Sequence, residues 1–533
     1  MSWSSGFHAS LASSSRGWIV CARRFSWISG LDTTWQASTA RLDGHRNSLG
    51  GERHPGYVPA QTSVPVRTWQ TSGGGFSLHI NGISNAREAL ANLRPGSMVG
   101  VYAGQRGRAA SQYERIDLGQ FINATQLTDG GVLSPVFRFD FAPAWSALRR
   151  RPAASFANRL FHNVDLEFGS STQVSTTYTA GDASLVVTSA AVLERQAGGS
   201  GIVKVTGNGG EDFYLEWSAV SGTGPYTLTV GTAAKFGSTL DSANNGNVVK
   251  NVGYLKGHPA SILRRLLVST GTADFSAGTA GDNGTFDVYP TTWGFGISRD
   301  DVDMDSLARL KSDVMKVTSS SGNYSVELLV EESPDNALDW LTGWIRPLGM
   351  FLRLHQGQFS AWAAQNPHGS SSLFSSYGVT DDQIVAGRTT WRMVTASGQH
   401  HSSEVVVDGT AHTDDALLSA YDSAPVFATR SRDCTGILRS ELPKHAEDVN
   451  GRCTAWDVRS LAELGGQWVG GWHARLGLGE LTHVSTPTLG LFRHEQAVNG
   501  QVLDKAPAMV TAGPVIDILN ARVWLGLTLI PES

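Results

Sequence analysis

A chain of 533 residues is long enough for three or four domains with large buried cores. Its net charge of −5 is spread thinly and gives no argument for a protein that wraps nucleic acid, which needs concentrated basic charge. Three cysteines exclude a disulfide scaffold and a four-cysteine metal site, and no window approaches the ~18 apolar residues of a membrane helix. Cys434 and Cys453 could form a bridge, whereas a reducing cytosol favours two free thiols.

Residues 1–165 are predicted to form a first β-domain. The chain's 60 glycines and 16 tryptophans, with only 17% charged residues, favour short strands joined by tight turns. Residues 1–31 lack Asp and Glu, as an organelle transit peptide does, but the alternating aromatic run at 17–30 favours a folded strand. Val132–Phe141 also alternates as a strand does. One helix is predicted at Asn85–Leu93, with these residues on its apolar face: Ala86, Ala89, Leu90 and Leu93.

Three further domains are predicted along the chain. Residues 166–255 hold four strand-like runs broken by glycine turns, which indicates an inserted small β-barrel module. Residues 256–370 mix helices and strands in an α+β middle domain, and residues 371–533 return to β, ending in one long strand at Ile516–Ile530. The predicted fold class is therefore mainly β with a minor α+β part.

The middle domain carries the clearest local signals. A helix at Ala260–Val268 is followed by a loop, and Ser333-Pro334-Asp335 is predicted to cap a helix that runs through Trp344. A hairpin is predicted from two strand-like runs, Phe351–Leu354 and Gln358–Trp362.

Metal-binding patterns fail in three places. Asp301, Asp303 and Asp305 mimic the start of a calcium loop, but Ser stands where that loop needs Gly and Glu, so the acidic residues are better explained as favouring a helix N-terminus. His494-Glu495 lacks the second histidine of a zinc-protease helix. His400-His401 with Glu404 would place adjacent histidines on opposite faces of a strand.

Catalytic and sugar-binding patterns are equally weak. A glycoside hydrolase needs only two carboxylates that are close in space, and by residue type the candidates are three pairs: Asp212/Glu216, Glu331/Glu332 and Asp381/Asp382. Each pair is better explained as turn or surface groups. Four tryptophans could form a sugar-binding face, although core or subunit packing is the expected role: Trp145, Trp217, Trp468 and Trp472. The run Arg149-Arg150-Arg151 reads as a solvated turn or an inter-subunit patch. No catalytic, cofactor-binding or metal-binding residue is predicted.

Three passages resemble the baseplate hub proteins of siphophage and gene-transfer-agent-like tails. HPASILRRLLVSTG, followed by FDVYPTTWGFGISRDDVD, is similar to their central region. NYSVELLVEESPDNALDWLTGWIRPLGMFLRLHQGQFSAWAA is similar to their helix before a short hairpin, and YTAGDASLVVTSAAVLERQAGGSGIVKVTGNGGEDFYLEWSAV resembles a β-module of phage virion proteins. The resemblance is diffuse and spans most of the chain.

The resemblance implies a non-enzymatic structural role. Hubs of this family are homotrimers with two tail-tube-like β-domains per subunit, here 1–165 and 371–533, that join the distal tail ring to the tail tip. Genome DNA would pass through the lumen without specific binding, and the protein would be made in the host cytoplasm and reside in the virion without membrane insertion. Because the sequence ends at Ser533 with no fibre or peptidase extension, other tip or fibre proteins are expected to supply those functions. The alternatives are a receptor-binding or tail-fibre virion protein and a glycan-active β-rich enzyme.

Overall fold

The structure is a computed structural model, and it describes the backbone of 28 strands and four α-helices. The residues described are 18–26, 30–38, 60–62, 75–81, 83–105, 113–127, 136–149, 171–190, 201–268, 288–289, 295, 297, 301–315, 326–332, 334, 336–365, 378–380, 390–393, 401–407, 410–413, 428–433, 452, 462–469, 476–485, 495–498, 501–504, 506–517 and 522–529. Strands outnumber helices throughout, so the predicted mainly β class is confirmed.

The N-terminal unit is an antiparallel sheet crossed by one helix. Its elements are β1 (Trp18–Ser26), β2 (Gly30–Ser38), β3 (Ala60–Thr62), β4 (Phe76–Asn81), α1 (Ile83–Asn92), β5 (Met98–Gln105), β6 (Glu114–Leu127), β7 (Val136–Pro143) and a 3₁₀ helix (Ala144–Arg149). The folded N-terminal strand is confirmed, because β1 pairs with β5 on one side and β2 on the other. Helix α1 buries Ala86 and Ala89, and Leu93 directly after it is buried as well, but Leu90 is 47% exposed because it lies at the margin of the apolar stripe.

The second unit is a small closed barrel. Its strands are β8 (Ser171–Gln173), β9 (Ser184–Val187), β10 (Gly201–Thr206), β11 (Asp212–Ser221), β12 (Tyr226–Thr232) and β13 (Val248–Gly257). They follow one another in the order β8, β13, β10, β11, β12, β9. An antiparallel bridge between Val174 and Val187 joins the two ends and closes the barrel. The interior is apolar and includes the fully buried Trp217, so that tryptophan has the expected core role.

The middle unit shares a strand with the barrel. Its elements are α2 (Pro259–Val268), β14 (Val288–Tyr289), α3 (Met304–Arg309), a π-helical turn (Leu310–Val314), β15 (Val326–Val330), α4 (Ala337–Ile345), β16 (Met350–His355) and β17 (Gln358–Ala363). The first half of β13 belongs to the barrel, and its second half pairs with β15. The N-cap of helix α4 is Asn336, one residue after the predicted cap Ser333-Pro334-Asp335, because the side chain of Asn336 accepts the N–H of Asp339.

The C-terminal unit is again built of strands. They are β18 (Val379–Thr380), β19 (Thr390–Met393), β20 (His401–Val407), β21 (Thr410–Thr413), β22 (Ala428–Asp433), β23 (Ala462–Val469), β24 (Leu481–Ser485), β25 (Glu495–Val498), β26 (Gln501–Asp504), β27 (Ala506–Asp517) and β28 (Arg522–Leu529). The prediction of one strand over Ile516–Ile530 is wrong. Asp517 lies opposite Arg522, so the segment is the end of one strand and the start of its antiparallel partner.

One 13-stranded sheet joins the two ends of the chain. Its main path runs β19-β23-β28-β27-β3-β4-β7-β6-β5-β1-β2, and the crossing from C-terminal to N-terminal strands is the pair Ile516 and Thr62. An apolar core formed by both end units includes Leu78, Phe139 and Leu525. A separate core packs the 3₁₀ helix and strand β6 against the middle unit, with Trp145 edge-on to Phe359 at 4.7 Å between ring centroids.

Candidate functional site

A polar cluster with several buried members lies where the β16–β17 hairpin meets residues 476–480. We call it the Arg353 junction and define it by five residues: Asp303, Ser306, Arg353, His355 and Glu480. Local sequence positions them. Arg353 and His355 are two apart on β16 and therefore project from the same face of the hairpin. Asp303 caps α3 by accepting the N–H of Ser306 at 3.0 Å.

Arg353 is the centre of the junction and is fully buried. Its Nη1 donates to the carbonyl of Leu478 at 2.7 Å, and its Nη2 donates to Ser306 Oγ and Glu480 Oε1, each at 3.2 Å. The guanidinium also lies over the ring of Trp362, 4.5 Å from its centroid. Burial lowers the pKa of Arg353, while the charges of Glu480 and Asp303 oppose that shift. The group stays charged, because arginine does not deprotonate in proteins.

Two glycines allow residues 476–480 to approach the hairpin. A Cβ on Gly477 would lie 2.7 Å from Arg353 Nη1, and one on Gly479 would lie 2.3 Å from Phe351 Cζ. Gly479 also has φ +79°, a conformation that favours glycine. Its carbonyl accepts the indole N–H of Trp362 at 3.2 Å. The segment is thus held by main-chain contacts that need glycine at both positions.

Asp303 and His355 form the second side-chain contact of the junction, with 2.6 Å between Asp303 Oδ2 and His355 Nδ1. Burial alone would raise the pKa of Asp303. Hydrogen bonds with His355 and Ser306, together with the electrostatic interaction with His355, outweigh burial and hold the pKa of Asp303 far below its ordinary value. Asp303 is therefore a carboxylate at all ordinary pH values.

The serine, histidine and aspartate of the junction do not form a nucleophilic triad. A triad needs the histidine to face the serine with one ring nitrogen and the acid with the other. Here the same Nδ1 faces Asp303 and lies 3.4 Å from Ser306 Oγ, while Nε2 lies 3.8 Å from Glu480 Oε1. Ser306 Oγ donates directly to Asp303 Oδ2. The arrangement binds three chain segments together and leaves no relay for proton transfer.

A second contact fastens the N-terminal sheet to the same region. Arg115 on β6 lies 2.5 Å from Asp301 through Nη1 and donates to the carbonyl of Gly357 at 2.8 Å through Nε. The three aspartates of the calcium-like run therefore diverge, since Asp301 pairs with Arg115, Asp303 caps α3, and Asp305 is exposed.

The two carboxylates of the predicted pair Asp212/Glu216 bind different lysines. Asp212 pairs with Lys204, whereas Glu216 pairs with Lys235. Glu331 also binds Lys204, at 2.9 Å, and accepts the hydroxyl of Tyr214, so the middle unit is tied to the barrel. Burial alone would lower the pKa of Lys204. Hydrogen bonds to Asp212 and Glu331 outweigh burial and raise that pKa.

Tyr214 shares this cluster. Burial and the hydrogen bond to Glu331 raise the pKa of Tyr214 to about 12. Neither residue of the Glu331/Glu332 pair is placed for general acid–base chemistry, because Glu331 is neutralised by Lys204 and the side chain of Glu332 is 80% exposed.

Several candidates from the sequence lie outside the described residues, or have no described side chain: Cys434, Cys453, Asp381, Asp382, His400, His401, Glu404, Trp468, Trp472, His494, Glu495, Arg149, Arg150 and Arg151. Within the residues that are described, no group of three or more His, Cys, Asp or Glu side chains could hold a metal ion. No helix among those residues is both long and apolar enough to cross a bilayer.

Sequence reasoning missed the Arg353 junction because its members are far apart in the chain. Arg353 and Glu480 are separated by 127 positions. The one local signal is the pair Gly477 and Gly479, which flanks a single leucine just before an acidic residue. Such spacing indicates close backbone approach but does not name the surface approached.

Comparison with known proteins gives remote likenesses only. No protein-family model matches the chain, and no curated protein does. A tail protein from Neisseria meningitidis MC58 is 9% identical, with 97% of each chain covered and a TM-score of 0.37. The 43 kDa tail protein of prophage MuSo2 from Shewanella oneidensis is 10% identical, covering 90% of this chain and 95% of that one, with a TM-score of 0.33. A chain of the lidded Francisella PdpA-VgrG complex is 6% identical and has a TM-score of 0.31, with 98% of this chain and 54% of that chain covered. Likenesses this remote carry no argument about function.

Proposed function

We propose that this chain is a non-enzymatic structural protein of a bacteriophage tail, and specifically the baseplate hub that joins the distal tail ring to the tail tip. The sequence resemblance in residues 178–220, 258–303 and 323–364 motivates the proposal. The observation that carries it is the 13-stranded sheet, in which strands from both ends of the chain lie side by side. One subunit thus offers two neighbouring β-units, as a homotrimer needs in order to present six units around a ring.

The open ends of that sheet support assembly from copies. Among the described residues, β2 pairs only with β1, and β19 pairs only with β23. Unpaired strand edges invite pairing with another chain, and head-to-tail contacts between identical subunits close into rings when the rotation allows it. In the proposed hub, genome DNA crosses the lumen without specific binding, and other tail tip or fibre proteins attach outside.

The polar clusters fit a structural role. The Arg353–Glu480 pair and the Lys204–Glu331 pair both use charged groups for contacts between units of the same chain. A hub transmits force between rings, so fixed geometry between its units serves the function better than an open cleft.

Molar mass and imaging test this proposal. The full chain is purified and measured by light scattering over a hundredfold range of concentration, and the assembled fraction is imaged in negative stain. The expected result is a trimer that forms threefold rings. A monomer at every concentration would overturn the hub.

DNA binding and glycan binding are measured on the same sample. The expected result is no sequence-selective complex with DNA and no affinity for host envelope glycans. A salt-sensitive, sequence-selective DNA complex would contradict passage without specific binding. Glycan binding would favour a receptor-binding protein instead.

A further inference from the structure

Strand β6 extends well past its neighbour β5. It runs over 14 residues from Glu114 to Leu127, whereas β5 pairs with it only as far as Gln120. Two backbone hydrogen bonds with the turn before β5 prolong this edge by one residue: Phe121 N donates to Ser97 O, and Gly96 N donates to Phe121 O. From Ile122 to Leu127 the described neighbours of β6 lie on one side only, where β7 pairs with it. We call residues 122–127 the β6 overhang.

The overhang is exposed and uncharged. Ile122 is 49% exposed, the largest fraction among the exposed large apolar residues of the described chain. Its sequence, INATQL, contains no charged residue and no proline. Sheet edges in soluble proteins are usually protected from further pairing by charge, proline or a covering segment. A bulge at Ile122 interrupts the register with β7, but pairing is regular again from Asn123 to Leu127.

One face of the overhang packs on the core and the other faces solvent, so its edge is the surface that has no pairing partner among the described residues. Ala124 and Phe137 pack against the apolar core on one face. On the other face Thr125 lies opposite Arg138, which pairs with Asp140 at 2.7 Å in solvent. A strand added at the edge would continue both faces in register, with its apolar side chains on the core side and its polar side chains outside.

We propose that the β6 overhang is a strand-addition site for a second copy of this chain. This inference rests on the proposed hub function and names the surface through which subunits pair. Pairing along the overhang alone spans about 20 Å and buries far less than the ~800 Å² per partner of a stable interface. The occupant must therefore bring a folded surface with a strand at its rim, which a free extended peptide cannot do.

Another copy supplies such a strand in β2. This strand is nine residues long, pairs only with β1 among the described strands, and carries no charge over residues 33–38. Its uncharged stretch matches the overhang in length and in lack of charge. Because overhang and β2 are different surfaces, the contact is head-to-tail, which is the type that closes rings of three.

Lysine placed at the edge tests the site. Ile122→Lys and Gln126→Lys introduce an exposed charge that opposes strand addition without entering the core. Val248→Lys on the barrel and Leu90→Lys on α1 are matched controls, because those residues are 38% and 47% exposed. We measure molar mass against concentration for each variant, circular dichroism to confirm folding, and hydrogen exchange of the amides at 122–127.

The expected result is a trimer for the native chain and for both controls, with slow exchange at 122–127. Each edge variant should raise the concentration for half assembly at least tenfold and expose those amides. If the native chain and the edge variants assemble equally, the overhang is not the interface, although the hub proposal stands. A twofold dimer would also refute the head-to-tail contact. A native chain that never assembles would refute both proposals.

Discussion

A buried carboxyl in the N-terminal sheet should make the folded state lose stability as pH rises. Asp117 lies on β6 opposite Val101 and is 2% exposed. One carboxylate oxygen accepts the N–H of Leu118 at 2.8 Å, and the other has no hydrogen-bond partner among the described residues. Burial raises the pKa of Asp117 from 3.8 to about 7, and the bond from Leu118 only partly opposes that shift.

Proton linkage gives the direction and the size of this change in the free energy of unfolding. Between pH 4 and pH 7 the folded chain keeps this proton while the unfolded chain has released it. As far as Asp117 determines it, the free energy of unfolding is therefore highest below about pH 4, falls as pH rises, and levels off above about pH 7. The whole difference is about 4 kcal/mol, at 1.36 kcal/mol for each pH unit between the two pKa values.

Asp117→Asn removes the titration and retains an oxygen for the Leu118 N–H. Urea unfolding of the native chain and the variant is compared at each pH from 4 to 9, so that all other titrating groups cancel in the difference. We expect near equality at pH 4 and a variant that is more stable by about 4 kcal/mol at pH 8. Parallel curves, or a variant that is less stable at pH 8, would refute the assignment of a neutral buried carboxyl.

Two substitutions, one at the Arg353 junction and one at the neighbouring Gly479, have matched controls. Arg353→Met should destabilise the fold by about 3–5 kcal/mol, because it leaves the Glu480 carboxylate without its buried cation. Arg309→Met, whose guanidinium is 5.5 Å from the same Trp362 ring but half exposed, should cost less than about 1 kcal/mol. Gly479→Ala should lower stability by about 2 kcal/mol more than Gly246→Ala, since both positions have positive φ but a Cβ at Gly246 meets nothing within 4 Å. Urea midpoints measure all four, and equal effects within either pair would contradict the geometry.

Local features of the fold could be predicted from sequence where one short pattern contains the cause. The hairpin of β16 and β17 follows from alternating apolar residues around Gln356-Gly357, and both turn residues adopt the positive φ that such turns require. Helix α2 was predicted to within one residue from its apolar period. In each case, the residues that determine the structure are neighbours in the chain.

Other features depend on residues that are distant in sequence. The apolar alternation over Ile516–Ile530 is the same for one strand as for the two sides of a hairpin, so period alone could not locate the reversal. The bonds from Lys204 to Glu331 and from Arg115 to Asp301 cross 127 and 186 positions. Propensity and spacing carry no information about such pairs, and only the tertiary fold brings them together.

The distribution of these distant contacts explains how the end units are held. Among the described residues, the sheet passes from one end unit to the other through a single register pair, Ile516 and Thr62, and a shared apolar core packs the two units together. The middle unit provides a further attachment, because Arg115 binds it to β6 and Arg353 binds it to residues 476–480. Buried Arg452 adds bonds to the main chain of the middle unit. Because the middle unit is bonded to both end units, it acts as a brace between them in addition to the sheet pair and the shared core. The proposed hub, which would present two β-units at set positions in a ring, would need such a brace.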